Sequence, residues 1–119
     1  MHTLGKVFYQ THIAALEAKD IDAIVSHYQD DAEIIGFDVF VKGRDAIREH
    51  FKSYLERLGI LKLKSTDKFV ETDNAIFFEA TMLTALGEAR VYDVFTLRDG
   101  KIVQHFTGVI ALTSPTEDV

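Results

Sequence analysis

One carboxylate and two imidazoles in this chain sit among residues of the wrong polarity for them. Asp93 occupies the middle of Ala89, Val91, Asp93, Phe95 and Leu97, positions that share one strand face at a period of two. An ionised carboxylate left unpaired in a core costs several kcal/mol, enough to consume a small domain's stability. Asp93 must therefore find a partner, take up a proton or face a wet cavity. His12 lies between Phe8 and Leu16 on the apolar face of a helix. A lone histidine there is either satisfied within a core or carries protons, and an Asp93–His12 pair would account for both misfits at once. Such a pair can shuttle a proton on a bound molecule, worth about 10²–10⁴-fold in rate.

His105 is the second imidazole candidate. Val103, Thr107 and Val109 share its strand face while Ile102, Phe106 and Ile110 fill the other, so periodicity leaves its direction open. His50 follows Ile47 by one turn, at the edge of a helix's buried stripe, which makes it a rim residue. Asp38 shares a face with Ile34, Gly36 and Phe40, placing it either at a cavity mouth or in a turn before Gly43. No HxH or HExxH spacing joins His12, His50 and His105 with Asp93, so no metal is expected. With 0 Cys there is no disulfide, thiolate nucleophile or Cys-ligated zinc. The chain holds no phosphate-binding loop, dinucleotide fingerprint or serine nucleophile elbow, and no cofactor is expected.

Charge and hydropathy narrow the partners. The 13 Lys plus Arg against 19 Asp plus Glu give a net charge of −6, which argues against nucleic acid and anionic membrane. Lys62, Lys64 and Lys68 read as one solvated strand face. No apolar run approaches the roughly 18 residues of a membrane span, and the first residues lack a signal peptide's apolar stretch. A cytoplasmic domain is the expectation.

The elements that must position these groups fall into two halves. Leu4, Phe8, Thr11, His12, Ala15 and Leu16 recur at helical spacing, and Asp20 caps a second short helix presenting Ile21, Ile24, Val25 and Tyr28. Asp30-Asp31 breaks that pattern, a strand covers Ala32–Val41, and Gly43 ends it. A third helix over Arg44–Leu58 buries Ile47, Phe51, Tyr54, Leu55 and Leu58, with Gly59 as its C-terminal cap. Beyond it the period changes to two. Leu61, Leu63 and Phe69 fit a strand, and Asp73-Asn74, Gly87 and Asp99-Gly100 divide the rest into strands over Ala75–Leu86, Glu88–Leu97 and Lys101–Leu112. The predicted order is ααβαββββ, an α+β fold in one domain over residues 1–112 with a flexible tail, 113–119. A mostly antiparallel sheet curved around a helix leaves a conical space that a ligand can fill. Ile76, Phe78, Ala80 and Met82 share a strand face, and with Phe8 and Phe51 they are expected to line it.

The run AALEAKDIDAIVSHYQDDAEI followed by VKGRDAIREHFKSYL resembles the NTF2-like (cystatin-like α+β) superfamily, in its ketosteroid-isomerase-like and SnoaL-like branches. The resemblance covers almost the whole chain and implies a cone-shaped fold with an internal pocket. It also implies positions. The oxyanion-hole Tyr of ketosteroid isomerases falls on His12 and their oxyanion-hole Asp on Asp93, while their general-base Asp falls on Gly36. Asp38 is the nearby substitute for that missing base. Apolar pocket positions fall on Phe78, Ala80 and Met82, with His50 and His105 where the family has hydrophobic side chains; Thr107 then lines the pocket beside His105.

The expected function is cofactor-free acid–base chemistry on a small, largely apolar molecule, in isomerase, cyclase or dehydratase style. His12 exchanges the proton, Asp93 orients it or donates to an oxyanion, and Asp38 and His105 stand behind them. A non-catalytic binding or dimerisation module is the alternative, and a hydrolase using a cavity water is the third reading. The strands are apolar on both faces, so a homodimer through the outer sheet face is expected, with Phe77, Leu83 and Phe106 at its centre.

Overall fold

Thr3 opens the first helix, its hydroxyl accepting the Lys6 N–H at 3.2 Å. No acid stands in the helix's own first turn, and the carboxylate of Glu71, distant in sequence, accepts the Gly5 N–H at 3.0 Å instead. The computed structural model describes residues 3–114. Its elements run α1 (Leu4–Glu17), α2 (Ile21–Ser26), β1 (Tyr28–Ile35), β2 (Phe40–Lys42), α3 (Arg44–Leu58), β3 (Leu61–Glu71), β4 (Ala75–Thr84), β5 (Gly87–Arg98) and β6 (Lys101–Thr113). Asp20 caps α2 by accepting the Ala23 N–H at 3.1 Å, and Gly59, with φ of 71°, ends α3 as expected.

Two boundaries differ from the sequence reading. The single strand expected over Ala32–Val41 is a hairpin of β1 and β2, because the chain turns at Gly36, whose N–H donates to Val39 O at 2.8 Å. A side chain at Gly36 would come within 2.9 Å of the Thr107 carbonyl oxygen, so the turn can lie against β6 only with glycine there. The order is therefore ααββαββββ. Tyr28, expected on the face of α2, is instead the first residue of β1 and is fully buried. The Arg44 guanidinium fixes that bend by donating to Tyr28 O from Nε at 2.9 Å and Nη2 at 2.7 Å.

The sheet order is β2-β1-β6-β5-β4-β3, antiparallel throughout except where β1 runs parallel to β6. The helices cover its concave face. Tyr9 and Ile13 of α1, Ile24 of α2 and Ile47, Phe51 and Leu55 of α3 meet Ile34, Ile76, Phe78, Ala80, Phe95 and Ile102 of the sheet in one core. Thr113, expected in the tail, pairs with Glu88 as the last residue of β6; residues 115–119 lie outside the described residues.

The convex face is mixed rather than uniformly apolar. Phe77 and Leu83 are 44% and 39% exposed there, and Phe106 is half-buried beside Val94, its ladder partner. Between Phe77 and Leu83 runs a polar network in which Arg90 Nη2 donates to Glu79 at 2.7 Å and Thr81 Oγ1 donates to Asp67 at 2.7 Å. Simple alternation from Phe106 would put Leu112 on this face, but a bulge on β6 leaves Ile110 unpaired between Val109 and Ala111 and turns Leu112 inward opposite Ala89.

Candidate active site

Asp93 projects from β5 into the concave side, as its apolar row requires, and finds its partner in His105 rather than His12. His105 Nε2 lies 2.6 Å from Asp93 Oδ1, and His105 Nδ1 lies 2.9 Å from the Tyr28 hydroxyl. Burial and the charge of Asp93 push the Tyr28 hydroxyl well above its ordinary pKa, so it keeps its proton and donates to Nδ1. That leaves the His105 ring proton on Nε2, donated to Asp93. The tautomer is assigned from this network. Phe95, the ladder partner of His105, packs edge-on against the imidazole at 4.5 Å and holds its plane.

His12 is buried and takes a different partner. Its Nδ1 lies 2.8 Å from Nδ1 of His27, the residue that ends α2. Burial, then the neighbouring His105 and His27, hold the His12 imidazole well below its usual pKa of 6.5, so it is neutral. The Asp93–His12 pair expected from the two misfits is thus replaced by two pairs, Asp93–His105 and His12–His27, which meet the same cavity.

That cavity has a volume of about 280 Å³ and is lined by His12, His105 and Asp93 among mostly apolar walls. Among the described residues only Arg90 Nε is both buried and without a hydrogen-bond partner. Asp93 Oδ2 and His12 Nε2, which have no partner either, therefore reach the cavity surface. Phe51, Phe78, Ala80, Met82 and Thr107 line the cavity as expected, and His50 stands toward the α3 wall, stacked on Tyr54 at 5.7 Å. Two expectations fail. Asp38 is exposed in the β1–β2 turn and only its neighbour Val39 reaches the cavity, so it does not stand in for the base missing at Gly36. Phe8 packs behind His12 and His27, facing a separate outer hollow. Sequence reading missed the lining role of Tyr54, whose ring lies under the Arg57 guanidinium at 5.7 Å. The spacing of His50, Tyr54 and Arg57, four and then three residues apart, is the signal that could have found this helix face. It also missed the site roles of His27 and Tyr28 at the α2–β1 joint, where helical spacing puts Tyr28 on α2 although it opens β1.

The SnoaL-like domain family matches this chain over residues 9–105. The chain belongs to that family. No curated protein matches its sequence. Solved structures carry the NTF2-like fold closely. An NTF2-like protein of Anabaena variabilis superposes with a TM-score of 0.80 at 14% identity, over 91% of this chain and 87% of that one. A SnoaL-like protein of unknown function from Burkholderia thailandensis gives 0.79 at 18% identity, over 93% and 98%. TerC, crystallised with polyporic acid, gives 0.77 at 18% identity, over 90% and 92%. At these identities the likeness is one of fold.

The neutral His12 gives this SnoaL-like domain a pH signature. The unfolded chain takes up a proton at His12 near pH 6.5, and the native domain does not. Stability from this group is therefore complete above that pH and is lost as pH falls below it, by at most about 1.4 kcal/mol per pH unit. His12→Gln should give a shallower loss of unfolding free energy than the wild type between about pH 7 and 5, read by urea titration. Equal slopes would show that His12 binds its proton alike in both states.

Proposed function

We propose that this domain binds a small, largely apolar molecule in its concave cavity and moves a proton on it, with Asp93 as the base. The observation that carries this is the free Oδ2 of Asp93 in a mostly apolar cavity, its other oxygen held by His105. The His105 N–H fixes the carboxylate's geometry and leaves Oδ2 to meet a bound molecule. A carbon-bound proton beside a carbonyl is the natural one to abstract, since the enolate formed is stabilised by a single donor. His12 Nε2 supplies that donor when His27 Nδ1–H occupies its other nitrogen. TerC's co-crystal with polyporic acid supports a small-molecule occupant.

Size guides the choice of probe. An enclosed cavity of about 150 Å³ holds one benzene ring, so about 280 Å³ takes about two rings within its walls. Gly36 at the family's base position distinguishes the domain from true ketosteroid isomerases. The test is exchange of the α-protons of 2-tetralone, a two-ring enolisable ketone, in deuterated buffer. Acceleration over buffer by about 10²–10⁴-fold is expected. Binding of the ketone with buffer-rate exchange would leave the domain a binding module, the reading favoured by Asp93 already having one partner.

We also propose a homodimer through the convex face. Phe77, Leu83, Val70 and Ile110 are exposed on its strands, and an isologous contact would bury them against their own copies. Sedimentation should give twice the 13.4 kDa of one chain. Phe77→Asp should give the monomer with an unchanged circular dichroism spectrum. A wild-type monomer, or a Phe77→Asp dimer, would refute the arrangement.

A further inference from the structure

We infer that His12 and His27 form a two-imidazole relay that passes protons between the internal cavity and a hollow on the outside of the domain. The relay deepens the proton-transfer reading, since a base buried under its ligand needs a route to solvent. Three observations carry it. The two rings share one hydrogen bond, Nδ1 to Nδ1 at 2.8 Å, so one ring donates, the other accepts, and they hold opposite tautomers. His12 lines the cavity and His27 lines a separate hollow with Phe8, Glu71, Asp73, Asp99 and Lys101 at the other side of α1. The second nitrogen of each ring has no partner among the described residues and is not sealed from its own space. Phe8 packs on both rings, stacked on His12 at 6.2 Å and tilted on His27 at 5.5 Å, which holds the pair in line.

The transfer balances without any charged intermediate being retained. With His27 donating, a proton from the hollow binds His27 Nε2 and the shared proton crosses from His27 Nδ1 to His12 Nδ1. The proton on His12 Nε2 then leaves into the cavity. Both rings end neutral with their tautomers exchanged, and reversal carries a proton out. Burial lowers the pKa of both imidazoles, which keeps them in the neutral form that such a chain needs near pH 7.

Nitrogen-15 spectra of the histidine rings test this without any substrate. In the wild type, His12 and His27 should show opposite neutral tautomers, and the His12 ring proton should exchange with deuterated solvent by way of His27. His27→Phe removes the path. His27→Gln keeps a hydrogen bond to His12 but cannot pass the proton on. Both variants should slow His12 exchange by at least an order of magnitude. Wild-type exchange in His27→Gln would overturn the relay and leave His27 a structural partner. His12 ring exchange is read on the free protein, without the ketone, so failure of the relay and failure of the base are told apart.

Discussion

Asp93→Asn should reduce proton exchange on 2-tetralone by about 10²–10⁴-fold, the full contribution of a positioned base. The fold should survive the change. Asparagine Oδ1 can still accept from His105 Nε2, so the lost charge weakens one hydrogen bond, a cost of at most about 1–2 kcal/mol. The chain of Asp93, His105 and Tyr28 remains connected, with distances of 2.6 and 2.9 Å in the native domain. Urea unfolding of the variant separates the two effects. Native-like stability with lost exchange supports the base; native-like exchange in a folded Asp93→Asn protein would remove Asp93 from the chemistry. His105→Gln should fall between the two, because it leaves the carboxylate in place without its fixed donor.

The second large effect is at Ala80. Its methyl group is fully buried, on the inward face of β4 between Phe78 and Met82, and it lines the cavity. Ala80→Trp places an indole in that space and should abolish Nile red binding, at an overpacking cost of about 1–3 kcal/mol. Ala80→Val adds less volume and should weaken binding while keeping the fold. Nile red bound with wild-type affinity by folded Ala80→Trp would move the binding site elsewhere.

The bond between Asp93 and His105 depends on an irregularity that no period reveals. From the Arg98–Lys101 turn the β5–β6 ladder starts in simple register, with Leu97 opposite Ile102. Val103 is then skipped, and Thr96 faces Gln104. Without that bulge His105 would stand opposite Val94, on the convex face, and Asp93 would stay unpaired among apolar side chains. One extra residue thus delivers the imidazole to the carboxylate. A second bulge at Ile110 does the same for Leu112.

Much was fixed by local chemistry. The caps at Asp20 and Gly59, the α3 span of Arg44–Leu58, the inward row of Ile76, Phe78, Ala80 and Met82, and the misfit of Asp93 follow from spacing and residue type in neighbouring positions. These are properties of single helices and strands, where period and burial coincide. Only the tertiary structure decided which imidazole meets Asp93, that Asp38 turns to solvent, and that His12 bonds His27 across the α1–α2 joint. The physical reason is that each of these rests on register or on a turn between elements. A single skipped residue reverses a strand's faces at almost no cost in composition or hydropathy, and so leaves no mark in the sequence pattern.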